Sequence, residues 1–235
     1  MTAPQIVAMG GGGFSMEGRL LDDHILGLTG KPRPRVCYVP TAGGDSQERI
    51  ARFHDALGDR AETAVLGLFW REVEDIDAFL QGQDVIYVGG GNTANMLAVW
   101  RLHGVDAALR RAWQAGVVLC GLSAGANCWF EGCSTDSFGA GLGPMNDGLG
   151  FLPGSFCPHY DSEPLRQPTY TRWVAEGALP PGFAADDGVG LHFVGTELHE
   201  ALSEREGGRA LRVEPDGETP LEVRRLGAGL PLNGG

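Results

Sequence analysis

The sequence predicts an α/β domain built on a mostly parallel central sheet with helices on both faces. Short apolar runs alternate with helix-like stretches along the first half of the chain, and Gly-rich segments follow several of these runs. In a parallel sheet such segments lie at the carboxyl ends of the strands, where ligands bind. With 235 residues, 43% of them hydrophobic, the chain is long enough for one such domain. We detect no internal repeat and no linker, and therefore expect a single domain over residues 1–235.

Strands and helices are predicted to alternate up to residue 122, with two successive helices before the last strand. Strands are expected at Gln5–Met9, Arg35–Pro40, Thr63–Leu68, Asp84–Val88 and in the apolar run that begins at Val117. Helices are expected between them at Gly18–Thr29, Ser46–Leu57, Val73–Gln81, Thr93–Trp100 and Val105–Ala115. This order favours parallel strand pairing with helical crossovers.

The chain changes character after residue 131. Gly132–Gly154 is rich in Gly, Ser and Asp and predicts a long loop or hairpin region near the site. Gly188–Val194, Ala210–Val213 and Pro220–Arg225 predict antiparallel edge strands. Leu226–Gly235 is rich in Gly and Pro and predicts a flexible tail.

Composition excludes several classes of partner. The net charge is −12, from 18 basic and 30 acidic residues, which argues against a nucleic-acid-binding surface. No apolar run approaches the roughly 20 residues that span a bilayer, and Met1–Gln5 lacks the basic start of a signal peptide. The five cysteines are an odd number, lie in apolar sequence and form no C-x-x-C pair, which is consistent with a reducing compartment. We expect a cytoplasmic protein with no nucleic-acid or membrane partner.

The most informative motif is Gly121-Leu122-Ser123-Ala124-Gly125, which fits the G-x-S-x-G nucleophile elbow. In this motif a strand turns sharply into a helix and holds the serine hydroxyl in an exposed, strained position. The flanking glycines leave room for the turn, and the first amides of the helix favour a developing oxyanion. The motif predicts Ser123 as a nucleophile.

A nucleophilic serine needs a base that a third group orients. Of the six histidines, His159 stands out because it follows Cys157-Pro158 at a strand end and comes after Ser123 in the chain. The residues alone leave the third member open among five carboxylates: Asp136, Asp161, Asp186, Asp187 and Glu197. The histidines and acids show no metal-ligand spacing, so no metal site is expected.

Two Gly-rich turns differ in what they predict. Gly10–Gly13 does not keep the G-x-G-x-x-G pattern of a dinucleotide loop. Gly89-Gly90-Gly91-Asn92-Thr93 lies between a strand and a helix, and its amides are candidates for the second half of an oxyanion hole.

Together these motifs resemble the dipeptidase E (aspartyl dipeptidase) and cyanophycinase group of serine peptidases. The resemblance rests on residues 89–93, 121–127 and 157–160, with a weaker match at 186–188, and covers roughly residues 5–200. It implies an α/β sandwich similar to class I glutamine amidotransferases. It also implies cofactor-free hydrolysis and makes a homodimer plausible.

By this resemblance Ser123 is the nucleophile and His159 the general base. The oxyanion hole would come from the amides of Ala124 and of Gly91 or Gly90. The family's third member is a Glu at the position of Asp187, and this chain carries the shorter Asp.

Four further residues follow from the same resemblance. Asp136 is the alternative third member, and Asn92, Arg166 and Arg172 are candidates for binding the substrate. The expected reaction is hydrolysis of short peptides, with Asp-X dipeptides as one candidate substrate class. The alternatives are another serine hydrolase (an exopeptidase of different specificity, a cyanophycinase-like depolymerase or an esterase) and a non-catalytic binding domain.

Overall fold

The computed structural model describes residues 3–227 and contains two sheets with helices around them. The strands are β1 Gln5–Met9, β2 Arg35–Val39, β3 Glu62–Val65, β4 Val85–Val88, β5 Val118–Leu122, β6 Phe130–Thr135, β7 Gly143–Met145, β8 Leu152–Cys157, β9 Gly182–Ala185, β10 Val189–Val194, β11 Glu197–Ser203, β12 Ala210–Glu214, β13 Gly217–Pro220 and β14 Val223–Arg225. The α-helices are α1 Leu20–Gly27, α2 Gln47–Leu57, α3 Ile76–Gln81, α4 Thr93–His103, α5 Val105–Gln114, α6 Ala124–Asn127 and α7 Arg166–Ala175.

The eight-stranded sheet has the order β14-β11-β10-β1-β5-β4-β2-β3. Strands β1 to β5 pair in parallel, while β10 runs antiparallel to both β1 and β11. Most residues of β1, β2, β4 and β5 are buried, as expected for parallel strands covered on both faces. The prediction of a mostly parallel central sheet is confirmed.

Alternate residues of the parallel strands face two different hydrophobic layers. One layer packs against α1 and α2, through side chains such as Leu21 and Phe53. The other packs against α4 and α5 and against aromatic side chains of the six-stranded sheet, Phe130 and Phe156. Helices therefore cover both faces, as predicted. Within the described residues, no helix is both long and apolar enough to cross a membrane.

The six-stranded sheet, with the order β13-β12-β9-β8-β6-β7, was not predicted as a sheet. The expected loop or hairpin region, 132–154, contains the β6–β7 hairpin and leads into β8. The outer face of this sheet is covered by α7, whose Tyr170 and Trp173 pack on Cys157 and Leu211.

The prediction of edge strands was partly wrong. β10 lies inside the first sheet between β1 and β11, and β12 lies inside the second between β9 and β13. The third predicted segment, Pro220–Arg225, overlaps the edge strands β13 and β14, but β14 pairs with β11 in parallel and not antiparallel as predicted. At the start of the predicted tail, Leu226 is buried and its amide donates to the Ser203 carbonyl at 2.8 Å. The tail from residue 228 onward lies outside the described residues.

Candidate active site

Ser123 occupies a sharp turn between β5 and α6. Its backbone has φ 53° and ψ −116°, a strained conformation for any residue with a side chain. A Cβ at Gly121 would lie 2.3 Å from the Gly125 carbonyl oxygen, and one at Gly125 would lie 2.3 Å from the Val88 carbonyl oxygen. The Ser123 amide donates to the Met9 carbonyl at 3.1 Å, which ties the turn to β1. This geometry agrees with a nucleophile elbow.

His159 follows the end of β8 by two residues and, like Ser123, has a positive φ, 54°. Its Nδ1 lies 2.7 Å from Asp187 Oδ1. Because an ionised carboxylate only accepts hydrogen bonds, Nδ1 carries a proton, and the neutral form of this imidazole therefore has its lone pair on Nε2. Ser123 and His159 line one cavity of about 280 Å³. Among the described residues the two side chains are not hydrogen-bonded to each other, and such contacts often tighten only when substrate binds.

Asp187 is held in place through its backbone. It lies where the chain passes from β9 to β10, and its amide donates to Asp161 Oδ1 at 2.9 Å. Its carbonyl accepts from Arg205 Nε at 2.5 Å, and Arg205 also pairs with the Asp161 carboxylate. Asp161 and Arg205 thus hold the backbone from which the Asp187 carboxylate extends toward His159.

The electrostatic surroundings keep Asp187 ionised. Burial on its own would raise the pKa of this carboxyl, but hydrogen bonds from His159 and Ser162 and the charge of Arg205 outweigh it and lower the pKa. A negative Asp187 in contact with Nδ1 is suited to orienting the imidazole and to stabilising its protonated form.

Three backbone amides near Ser123 are free to bind a ligand. Those of Gly90, Gly91 and Ala124 donate to no other residue in the part of the chain that the structure describes. A Cβ at Gly90 would lie 3.4 Å from Ser123 Cβ, so this loop runs directly beside the serine. Arg49 Nη1 donates to the Gly90 carbonyl at 2.6 Å. It thereby fixes the Gly90–Gly91 peptide plane and with it the direction of the Gly91 N–H.

The structure does not bring two of the predicted residues to the cavity. The side-chain oxygen of Asn92 accepts from the Asn95 amide at 2.8 Å and caps α4, and its Nδ2 donates to the Ser137 carbonyl at 3.1 Å. Asp136 is exposed and makes no contact with His159, whose carboxylate partner is Asp187. Asn92 is thus committed to local structure, and the carboxylate that contacts His159 belongs to Asp187 and not to Asp136.

The two predicted arginines also lie elsewhere. Arg166 is buried on α7, where it donates to the Ser134 carbonyl at 2.9 Å and to Glu163 at 2.7 Å. Arg172 is exposed near the end of the same helix. Neither lines the cavity that contains Ser123.

Instead, two other arginines of the cavity lining come from α2. Arg49 and Arg52 are three residues apart and face the cavity with Tyr38. Burial raises the pKa of Tyr38 to about 12, so its hydroxyl is protonated and can donate. Sequence reasoning missed both arginines, although an i,i+3 pair near the carboxyl ends of parallel strands was a usable signal.

The chain is similar in sequence to known peptidases, in one case along nearly its whole length. The model for peptidase family S51 matches residues 6–201. An uncharacterised peptidase of Bacillus subtilis (strain 168), YgaJ, is 47% identical over 232 residues, which are 95% of this chain and 99% of that protein. Peptidase E of Streptomyces coelicolor is 33% identical over 132 residues, 55% of this chain and 53% of that protein.

Solved structures confirm the fold. A peptidase from an acI-B1 actinobacterium superimposes with a TM-score of 0.68 at 18% identity, covering 94% of this chain and 95% of that one. A protein from Listeria monocytogenes EGD-e gives 0.62 at 19% identity, covering 84% and 97%. From the family match and the 47% identical relative, the chain belongs to peptidase family S51, a family of serine peptidases.

Proposed function

We propose that this peptidase hydrolyses short peptides through an acyl-enzyme on Ser123. The observation that carries the proposal is the 2.7 Å contact of His159 with Asp187 at the cavity that also contains Ser123. The elbow geometry and the free amides beside it support the same assignment.

In the proposed reaction, His159 Nε2 takes the proton of the Ser123 hydroxyl as its oxygen attacks the scissile carbonyl. Asp187 stabilises the imidazolium that forms. The amides of Ala124 and of Gly90 or Gly91 bind the oxyanion. His159 then protonates the leaving amine, and a water activated by the same imidazole hydrolyses the acyl-enzyme.

The cavity favours small substrates that carry a carboxylate. Its volume, about 280 Å³, is just below the range of roughly 300–1,000 Å³ for ligand pockets, which suits one or two residues of a peptide. Arg49 and Arg52 supply positive charge at the cavity wall. Asp-X dipeptides fit this description, because they carry an acidic side chain beside the scissile bond.

The first test is hydrolysis of a peptide panel by wild type, Ser123→Ala and Ser15→Ala, read by mass spectrometry. Ser15 is the matched control because it lies in the same cavity lining and its hydroxyl is bound to the Gly12 carbonyl at 2.8 Å. We expect the Ser123 variant to lose at least ~10⁴-fold in kcat and the Ser15 variant to stay active. Full activity of Ser123→Ala would refute the assignment.

Specificity is tested separately with Arg52→Gln, using Arg172→Gln as the control. Arg172 is an exposed arginine outside the cavity. We expect Arg52→Gln to raise KM for Asp-X substrates by about tenfold or more, as for loss of a charged hydrogen bond, and to leave neutral dipeptides unaffected. Equal effects on acidic and neutral peptides, or cleavage of simple esters alone, would favour the alternative hydrolases.

A further inference from the structure

Two histidines and a glutamate converge at a place remote from Ser123. His24 comes from α1, His192 from β10 and Glu200 from β11. One ligand atom of each lies within 4.8 Å of the other two. His24 Nε2 is 4.0 Å and His192 Nδ1 is 3.8 Å from the same carboxylate oxygen, Glu200 Oε1. None of the three residues lines the cavity that contains Ser123.

Both imidazole nitrogens that face Glu200 are buried and unpaired. Among the described residues, neither His24 Nε2 nor His192 Nδ1 has a hydrogen-bond partner. The distances to Glu200 Oε1 are too long for hydrogen bonds. Buried nitrogens are nearly always paired, so two that face one carboxylate oxygen point to a shared ligand.

Neighbouring residues orient two of the three groups. His192 Nε2 lies 3.0 Å from Gln5 Oε1 and donates to it, which leaves the lone pair on Nδ1, the atom that faces Glu200. Arg224 Nε donates to the other carboxylate oxygen, Glu200 Oε2, at 2.8 Å. Supporting hydrogen bonds of this kind fix the tautomer and direction of metal-binding side chains in proteins.

We propose that His24, His192 and Glu200 bind a divalent transition-metal ion, with zinc as the best match. Two imidazole nitrogens and one carboxylate oxygen are a ligand set that zinc accepts, with water in the fourth position. Ligand–zinc distances of about 2.0–2.2 Å require the three side chains to draw slightly together. His24 and Glu200 retain partial solvent exposure, 15% and 24% of their side chains, so the ion has access.

The bound ion would fasten α1 to strands β10 and β11 of the eight-stranded sheet. Its role is structural, because it lies outside the cavity and no step of the proposed reaction passes through it. The site does not depend on the proposed peptidase mechanism.

The test is zinc titration of the chelator-treated protein by calorimetry, followed by X-ray absorption spectroscopy of the zinc complex. The site variants are His24→Gln and Glu200→Gln. The control is His103→Gln, which replaces a partly exposed histidine near the end of α4. A His159→Gln variant tests whether zinc binds at the imidazole of the candidate active site instead of at the proposed site.

We expect one zinc ion per chain, a nitrogen- and oxygen-rich shell at about 2.0–2.1 Å, and a rise in melting temperature with excess zinc. Either site variant should raise Kd by about a hundredfold or more, because even loss of a supporting residue costs 10–100-fold. The His103 and His159 variants should bind as wild type does. Absence of binding, or the same Kd in site and control variants, would overturn the proposal. Glu200→Gln keeps the test decisive if His24→Gln fails to fold.

Discussion

Replacing Asp22 by Asn should stabilise the protein above neutral pH. Asp22 lies on α1 and is 1% exposed. The Tyr87 hydroxyl donates to its Oδ1 at 3.1 Å, and its Oδ2 has no partner among the described residues. Burial raises the pKa of Asp22 from 3.8 to about 7, and the charge of Glu204 adds to the rise. An Asn in this position has the shape of the protonated acid and the same acceptor for Tyr87, but it never ionises.

The magnitude follows from proton linkage. The folded pKa of Asp22 is above the unfolded value, so the stability that the protonated carboxyl provides is complete below about pH 4 and is lost as pH rises to 7. Between pH 5 and pH 8 the wild type loses this stabilisation over about two pH units, from pH 5 to the folded pKa. At 1.36 kcal/mol per unit the loss is roughly 3 kcal/mol. The advantage of Asp22→Asn over wild type should grow by that amount, which corresponds to about 6–12 °C in melting temperature for a chain of this size.

The assay is thermal unfolding of both proteins at pH 5, 6, 7 and 8 in matched ionic strength. Asp55→Asn is the control, because it removes an exposed carboxylate from α2 that has no hydrogen-bond partner in the described residues. The difference between Asp22→Asn and wild type should widen steadily with pH, while the Asp55 variant should track wild type. A difference that is the same at pH 5 and pH 8 would refute the reasoning.

Three further predictions concern the candidate site. Asp187→Asn should lower kcat by about 10⁴-fold with a smaller change in KM, because the amide no longer holds His159 in the productive tautomer; steady-state kinetics with a cleaved dipeptide measures this. Gly91→Ala should lower both melting temperature and kcat, since φ is 140° and the new Cβ would lie 2.1 Å from the Ala42 carbonyl oxygen; unchanged values would contradict the close contact. Ser123→Gly should be more stable than Ser123→Ala by about 1–3 kcal/mol, because glycine relieves the backbone strain at this position. Thermal unfolding should therefore show the higher melting temperature for the glycine variant, and both variants should be inactive.

The parallel half of the fold was predictable because four of its five strands are almost continuously buried runs. β1, β2, β4 and β5 are apolar over four or five residues and are followed by turn-forming sequence. Strands of the second sheet lack this signal. β7 and β9 are three and four residues long and contain glycine, and their pairing depends on tertiary contacts that local patterns do not encode.

The catalytic candidates were predictable to different degrees. Ser123 follows from a local motif, and His159 and Asp187 follow from their places after strands together with the family resemblance. Arg49 was missed because nothing local distinguishes a helix arginine that faces a cavity from one that faces solvent. The cluster of His24, His192 and Glu200 joins residues far apart in the chain, and a search for local ligand spacing cannot find it.

Ser123 and His159 are carried by different layers of the molecule. Ser123 directly follows β5 of the eight-stranded sheet, and His159 follows β8 of the six-stranded sheet. Between the layers, Phe130 stacks on Phe156 with ring centroids 5.1 Å apart and meets Phe193 edge-on at 5.8 Å. Aromatic side chains from both sheets, Phe130 and Phe156 on one side and Phe193 on the other, therefore fill the space between the layers that carry Ser123 and His159. We expect a change in the size of one of these rings to alter the spacing of the two sheets, and with it the distance between Ser123 and His159, without altering any residue of the cavity lining.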